Sequence, residues 1–325
     1  MLGNGNNRYG TQADPFVVHS YEEIKSVYAD TSLTASTLYY VVLANNINCN
    51  DYGADFTWDS ITGSNWIDFD LDGHTIKNVL ISNGQYLFNL TVSCEANVTP
   101  RPKIHNGAIL NVFGNSGGVF KNASNSLITL EKLSISVNST SCTDYIFWSF
   151  YVDSCAIYVQ SSKLNQTFFG VYVAAHTICL ENSDIQFDIS DLNGKPLFIN
   201  TNGNSNAYQL IISNCRFRGD VGGLPYYYDM RWNVPYRTMF NNARIKVEKC
   251  CISIDSTKCN LDGGTGTGVL ISVSENMVNL NNVVNKTIMD STYTANHDYD
   301  VSDEDIVIGA KLRAAGFTVV NVVGG

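Results

Sequence analysis

Apolar residues recur along this chain in a degenerate four-point pattern. An apolar residue is followed two positions later by another, three further on by a small, thiol or apolar residue, and two beyond that by an apolar one. The pattern reads Ile128, Leu130, Leu133, Ile135, then Ile178, Leu180, Ser183, Ile185. It returns as Leu210, Ile212, Cys215, Phe217 and as Ile245, Val247, Cys250, Ile252. Looser copies run Phe69, Leu71, His74, Ile76, around Ile104, Gly107 and Ile109, at Ile157 and Val159 with Leu164, and at Val278 and Leu280. Period-two alternation inside each copy predicts strands, because a helix would place apolar residues at i, i+3 and i+4. The second anchors are Leu71, Ile104, Leu130, Val159, Leu180, Ile212, Val247 and Leu280. They lie roughly 21 to 35 residues apart, a spacing that marks stacked supersecondary units.

Two short strands joined by a bend of Asn, Ser or Lys suit a chain that turns a corner, since Asn tolerates left-handed backbone. Stacking such units predicts an all-β parallel solenoid whose alternate side chains fill one continuous interior. The rival, an antiparallel sandwich, calls for tight hairpin signals at regular spacing, and the glycine-containing turns do not fall there. Eight or nine units at about 4.8 Å each make a rod about 40 Å long. Open ends expose strand edges, so caps are expected. Ser20-Tyr21-Glu22-Glu23 is a capping box opening a helix from Glu22 to Ala29. Ser302, with Asp303, Glu304 and Asp305, opens a second helix; Gly316 ends it, and Phe317 to Val322 reads as a closing strand. The predicted organisation is an N-terminal arm and cap over residues 1–35, a solenoid over 36–290 and a helix–strand cap over 291–325.

Composition narrows the function. The chain has 325 residues, 20 basic against 30 acidic side chains, and 37 aromatics, a mixture too apolar for disorder. The acidic balance argues against a nucleic-acid partner. No run of 18 apolar residues exists to insert in a membrane, and the polar opening from Met1 to Arg8 lacks a secretory core. Nine cysteines, scattered without metal-ligand spacing, predict reduced and mostly buried thiols. The six sequons at Asn89, Asn97, Asn122, Asn138, Asn165 and Asn285 then reflect Asn, Ser and Thr richness, not glycan attachment.

Three N-terminal phrases carry a family likeness: Gly10-Thr11-x-x-Asp14-Pro15-Phe16, Tyr40-Val41-Val42-Leu43-Ala44-Asn45-Asn46-Ile47-Asn48, and Phe69-Asp70-Leu71-Asp72-Gly73-His74-Thr75-Ile76-Lys77-Asn78. They resemble the opening of right-handed β-helix proteins of the pectin-lyase-like superfamily, especially GLUG-type and bacteriophage fibre or spike modules. Asn46 and Asn48 stand where that pattern has acids, and the likeness covers about the first 80 residues. The resemblance implies a right-handed parallel β-helix with short capping α-helices at both ends. It further implies a structural virion protein, a subunit of a head fibre, tail fibre or spike, made in the host cytoplasm. The expected partners are copies of itself (a trimer by analogy with phage fibres), other virion proteins, and a cell-surface polysaccharide.

Candidate chemistry is sparse. Asp68-x-Asp70-x-Asp72-Gly73 matches half of an EF-hand loop, but Val79 stands at the twelfth position, and a strand with aspartates facing water explains the same letters. Asp298 to Asp305 reads as a solvated linker and helix start. Arg244-Ile245-Lys246 and Gly73-His74 are similar to polygalacturonase motifs, yet that family's aspartate motifs are missing. His74, at the inward corner position, is expected to be a core residue. No catalytic residue, metal or cofactor is therefore predicted.

The most distinctive segment runs from Asp220 to Arg237 and interrupts the repeat as a long loop. Its Tyr226, Tyr227, Tyr228, Asp229, Arg231, Trp232, Tyr236 and Arg237 form a composition suited to partner or glycan contact. The alternative enzyme, a β-helix polysaccharide lyase or hydrolase (a depolymerase), would draw on Asp220 and Asp229 with Arg231 and Arg237. A lectin would depend on Trp232. Finally, Tyr145 to Val152 and Phe168 to Val173 look apolar on both strand faces and so call for cover on both sides, which motivates a homo-oligomer.

Overall fold

A computed structural model describes most of residues 9–221 and short strands between 226 and 285. Residues 1–8, 256–277 and 286–325 lie outside it, as do shorter stretches including 94–99, 115–117, 124–127, 140–144, 162–168, 171–177, 191–198, 201–209, 222–225 and 230–233. The C-terminal helix and closing strand expected over 302–322 fall outside the described residues.

The chain is built mainly of strands paired in parallel, with one α-helix, α1 (Tyr21–Tyr28), and one short 3-10 turn (Cys49–Tyr52) among the described residues. Seventeen strands form the larger sheet and seven the smaller. In these two sheets strands pair with the equivalent strands of the next repeat, in register apart from a one-residue shift between Ile135 and Val137. The main paired row runs Phe16, Val41, Phe69, Ile104, Leu130, Val152, Leu180, Ile212, Val247, Leu280. Successive members lie 22 residues apart at the closest (Leu130 to Val152) and 35 at the widest (Phe69 to Ile104). From Val41 to Ile212 every member of this row is buried. Parallel partners this close in sequence exclude hairpin connections, and with them the antiparallel sandwich.

Registration corrects two of the expected anchors. Phe69, not Leu71, pairs with Ile104. Two extra residues enlarge that corner: Leu71 turns inward and is fully buried, while Asp72 and Gly73 make the turn at positive φ. Leu71 occupies the space beside the next repeat. A Cβ on Gly107 would come within 2.5 Å of both Leu71 Cβ and the His74 carbonyl, so glycine is required there. The enlarged corner also leaves His74 half-buried at the edge and not in the core. In the later repeat the anchor is Val152, not Val159, and Phe150, Val152, Cys155, Ile157 is the true copy of the template.

The same repeat explains the segment that looked apolar on both faces. It is not one strand. Phe147–Trp148 belongs to the smaller sheet and Phe150–Asp153 to the larger, with Ser149 at φ 60° turning the corner between them. The turn lets both Phe147 and Phe150 reach the interior, each fully buried. These two residues need no covering subunit.

The corners have a shared chemistry. Asn106, Lys132, Ser154 and Asn182 occupy equivalent positions at φ 50–59°, the left-handed region where Asn is favoured. The following small residue turns inward and caps the strand it has left. Cys155 Sγ donates to the Asp153 carbonyl (3.2 Å), Ser183 Oγ to Glu181 (2.6 Å) and Cys215 Sγ to Ser213 (3.1 Å). Leu133 fills the same inward position after Lys132, opposite Gly107, so the thiol or serine of the later repeats is set by this hydrogen bond.

Equivalent side chains stack. In the smaller sheet Phe88, Phe120 and Phe147 lie in register with centroids 5.9 and 5.5 Å apart and nearly parallel planes. On the larger sheet Asn111 Nδ2 donates to Asn78 Oδ1 (3.1 Å) and Asn78 Nδ2 to Asn48 Oδ1 (2.9 Å), a ladder through three repeats.

α1 closes the N-terminal end. Ser20 is its N-cap and accepts the Glu23 N–H, as the capping box predicts, while the Glu23 carboxylate reaches back to the His19 N–H (2.7 Å). Tyr21, Ile24, Val27 and Tyr28 are buried, with the Tyr28 ring 5.6 Å from Phe88 and that of Tyr21 4.4 Å from Trp58.

Two expectations follow. Replacing Phe120 by Ala removes the middle ring of the stack and should cost about 3–5 kcal/mol in chemical denaturation, against little change for exposed Thr91→Ala. Cys49, Cys155, Cys179 and Cys215 are all free, and burial pushes the thiols of Cys49 and Cys155 up to about 12. A thiol reagent at pH 8, read by mass spectrometry, should therefore label Cys49, Cys155 and Cys215 only after unfolding. Labelling in the native protein would contradict the packing.

Candidate functional site

The largest group of interacting charged residues among those described is a row the sequence did not single out as a site. One position after the anchors from Phe69 to Leu180 come Asp70, His105, Glu131, Asp153 and Glu181, held in register by the strands. One position before it, Asp68 stands opposite Lys103. Parallel pairing thus brings side chains from segments far apart in sequence onto one outer face.

Their partners are specific. His105 Nε2 lies 2.6 Å from Asp68 Oδ1, and its Nδ1 lies 3.9 Å from Asp70 Oδ1. Lys103 Nζ sits between two carboxylates, 3.9 Å from Asp68 and 3.3 Å from Glu131. Lys132 reaches the other Glu131 oxygen at 3.1 Å. Asn106 donates to Asp70 (3.0 Å) and Asn182 to Asp153 (2.8 Å). Tyr151 donates to Glu181, which also accepts from Ser213 (3.3 Å).

Asp68 is covered: its side chain is 9% exposed, against 15% for His105 and 28% for Lys103. This corrects the expectation that the aspartates of this segment all face water. Asp68 and Asp70 are engaged with His105, Lys103 and Asn106, which leaves them poorly arranged as a cation loop. Among the described residues no group of three or more His, Cys, Asp or Glu side chains is arranged to hold a metal ion.

The electrostatics favour clamping over proton transfer. Burial alone would raise the Glu131 carboxyl, but hydrogen bonds and charge from Lys132 and Lys103 outweigh it and hold the group below the usual glutamate range. Burial, reinforced by the Glu181 carboxylate, pushes the Tyr151 phenol far above its ordinary value. Glycoside hydrolysis needs one carboxyl kept protonated to donate to the leaving group, and the lysines around Glu131 act in the opposite sense. What the arrangement does is tie three successive repeats together, from Asp68 through Lys103 to Glu131.

The contact residues expected between Asp220 and Arg237 divide among elements. Tyr226–Asp229 pairs antiparallel with Val234–Arg237, so this stretch is a hairpin ribbon and not simply a loop. Tyr226 stands opposite Arg237, Tyr227 opposite Tyr236 and Asp229 opposite Val234. The ribbon therefore brings Tyr226, Tyr227, Tyr228, Asp229, Tyr236 and Arg237 together, while Arg231 and Trp232 lie outside the described residues. Asp220 belongs to a different element, Arg216–Val221, where it pairs in parallel with Asp188 and Asp255. Asp220 and Asp229, the acids considered for a depolymerase, are thus not on one strand pair. Of the polygalacturonase-like phrases, Ile245 and Lys246 lie within a parallel strand and Arg244 lies outside the described residues.

A periodic signal for the charged row was available: from Phe69 onward a polar residue follows each main anchor directly. Its clustering was not, because hydrophobic alternation alone places the anchor of the Phe69 repeat two residues late, at Leu71.

Comparisons with protein-family models, with curated proteins and with solved structures find no match to this chain.

Removing Asp68 takes away the 2.6 Å partner of His105 and leaves Lys103 with Glu131 alone, so Asp68→Ala should cost about 1–3 kcal/mol in urea denaturation. The sign of the pH effect follows from Glu131. Its carboxyl is held low in the folded chain, so its stabilising contribution is complete above the ordinary glutamate range and fades as pH falls through and below it. Glu131→Gln should accordingly flatten the fall in thermal midpoint on acidification below about pH 4.5. An unchanged acid limb would show that the lysines do not hold this group.

Proposed function

We propose that the chain winds as a right-handed parallel β-helix and serves as a structural, adhesive subunit of a bacteriophage appendage: a head fibre, tail fibre or spike. The observation that carries the scaffold reading is the unbroken in-register row from Phe16 to Leu280, in which ten residues of successive repeats pair in parallel. Right-handedness is the hand that parallel crossovers take. A continuous backbone ladder of this kind resists bending and proteolysis, because every repeat is hydrogen-bonded on both sides.

The charged row supports a mechanical role, since its ion pairs link repeats. The buried helix α1 supports it too, because it covers one end of the stack and prevents edge-to-edge growth. The virion assignment rests on the N-terminal resemblance to phage fibre and spike modules, an associational ground. Self-association as a trimer, attachment to other virion proteins and contact with a host-surface glycan complete the reading. Association would use surfaces other than Phe147 and Phe150.

Electron microscopy of the purified chain should show short rods, and sedimentation at micromolar concentration should give a species of about three chains. Antibody labelling of phage particles from the same source should mark an appendage. Globular particles would sink the scaffold reading, and a sedimenting monomer the trimer. Release of reducing ends or unsaturated sugars from capsular polysaccharide would replace the structural role with a depolymerase.

A further inference from the structure

Beside the α1 cap, one repeat carries a loop that its neighbour lacks. Asn48 pairs with Lys77 and Trp58 with Ile81, so the chain takes ten steps from 48 to 58 where the next repeat takes four, from 77 to 81. The 3-10 turn Cys49–Tyr52 and a second turn, closed by the Phe56 N–H on the Gly53 carbonyl (3.2 Å), fold the loop back on itself. Tyr52 thereby stacks on Phe56, with centroids 4.7 Å apart and planes at 27°, and Tyr21 of α1 meets Phe56 edge-on at 5.5 Å. Phe56 is half-buried, and the Tyr52 hydroxyl accepts the Tyr21 N–H (3.1 Å). Tyr52 nevertheless stays 37% exposed. Among the described residues no ring other than Phe56 and no cation lies on it.

The surroundings of this aromatic pair are acidic. Asp51 and Asp55 flank it within the loop. Burial, reinforced by the Glu22 and Glu23 carboxylates of α1, holds the Tyr52 phenol above its ordinary value, so the helix adds its charge to the same corner. Glu23 is tied to His19 (3.2 Å) and Asp59 to Lys25 (3.5 Å). Asp51, Asp55 and Glu22 are exposed and form no ion pair among the described residues. The cluster also shows how it treats a cation. Lys25 Nζ lies 5.5 Å from the centroid of the Tyr21 ring while pairing with Asp59. Tyr52, with Asp51 and Asp55 beside it, repeats the ring and the carboxylates without the cation.

We propose that this corner of the capped end is a docking site for a basic, arginine-bearing segment of a partner protein. The guanidinium plane lies on the Tyr52 ring face turned away from Phe56, and its N–H groups donate to the Asp55 or Asp51 carboxylate. Glu22 adds attraction from the helix side. A guanidinium suits the site better than an ammonium, because it stacks on a ring and still presents donors at its edge. The unpaired negative charge turns away nucleic acid and anionic lipid alike. The inference rests on the reading of the chain as a subunit that attaches to other proteins, and it supplies the surface and the chemistry of that attachment. The site is distinct from the ribbon of Tyr226–Asp229 and Val234–Arg237.

Fluorescence anisotropy of a labelled peptide of alternating arginine and glycine, titrated with the intact chain, tests this, with lysine in place of arginine as the control. The arginine peptide should bind about threefold more tightly than the lysine one, since an ammonium does not stack. Asp55→Asn should lower its affinity about threefold, whereas Asp72→Asn, which removes an equal charge from the exposed enlarged corner, should leave it unchanged. Tyr52→Phe, which loses the bond to Tyr21 but keeps the ring, should still prefer arginine, and Tyr52→Leu should not. Asp55→Lys should abolish binding with an unchanged thermal midpoint, and it decides the matter should Tyr52→Leu fail to fold. The proposal is overturned by no binding of the arginine peptide, by equal affinity for the two peptides, or by an equal loss with Asp72→Asn and Asp55→Asn. It is also overturned if Arg8→Ala tightens peptide binding, which would put the chain's own N-terminal arm on the site. Loss of the sedimenting oligomer in Asp55→Lys would put a second copy of the chain there instead, and overturns it likewise. The subunit reading stands or falls separately, on rod shape and on antibody labelling of particles.

Discussion

Parallel pairing in register is the constraint on which the rest of this molecule depends. An antiparallel pair can oppose unlike residues freely, but here each residue faces its own counterpart in the repeat before and the repeat after. Whatever one repeat places at a position, the next must accept about 4.8 Å away. Three consequences are visible. Planar apolar groups stack, as in Phe88, Phe120 and Phe147. Amides form ladders, as in Asn48, Asn78 and Asn111. Opposite charges meet across repeats, as Lys103 does between Asp68 and Glu131.

The same constraint governs the corners. A bend that recurs in every repeat must use a backbone conformation every repeat can adopt, and the left-handed region at Asn106, Lys132, Ser154 and Asn182 meets that condition. The residue after the bend faces the carbonyl two positions back, and in three repeats a cysteine or serine there donates a hydrogen bond to it. The thiols are thus part of the architecture, and burial suppresses their reactivity. Where one repeat departs from the rule, its neighbour compensates: Leu71 turns inward at an enlarged corner, and Gly107 leaves it space.

The outer face obeys the register without the close packing of the interior. Asp68, Lys103, His105 and Glu131 satisfy one another across repeats and leave little charge for a ligand. Lys121 and Trp148 stand in the same geometric relation on the smaller sheet, with no carboxylate pairing that lysine among the described residues.

From sequence alone came the strand content, the repeat spacing, the α1 cap and the chemistry of the corners, because each is local and is written in alternation, capping residues and small side chains. Hydrophobic alternation could not count the residues in a bend, so Leu71 and Val159 were taken for the anchors that are in fact Phe69 and Val152. Nor could it tell one doubly apolar strand from two strands around Ser149. The meeting of Asp68 with His105 and of Lys121 with Trp148 was decided only by the tertiary structure. Such contacts depend on register between segments tens of residues apart, and a slip of a single residue would have turned each of those side chains to the opposite face.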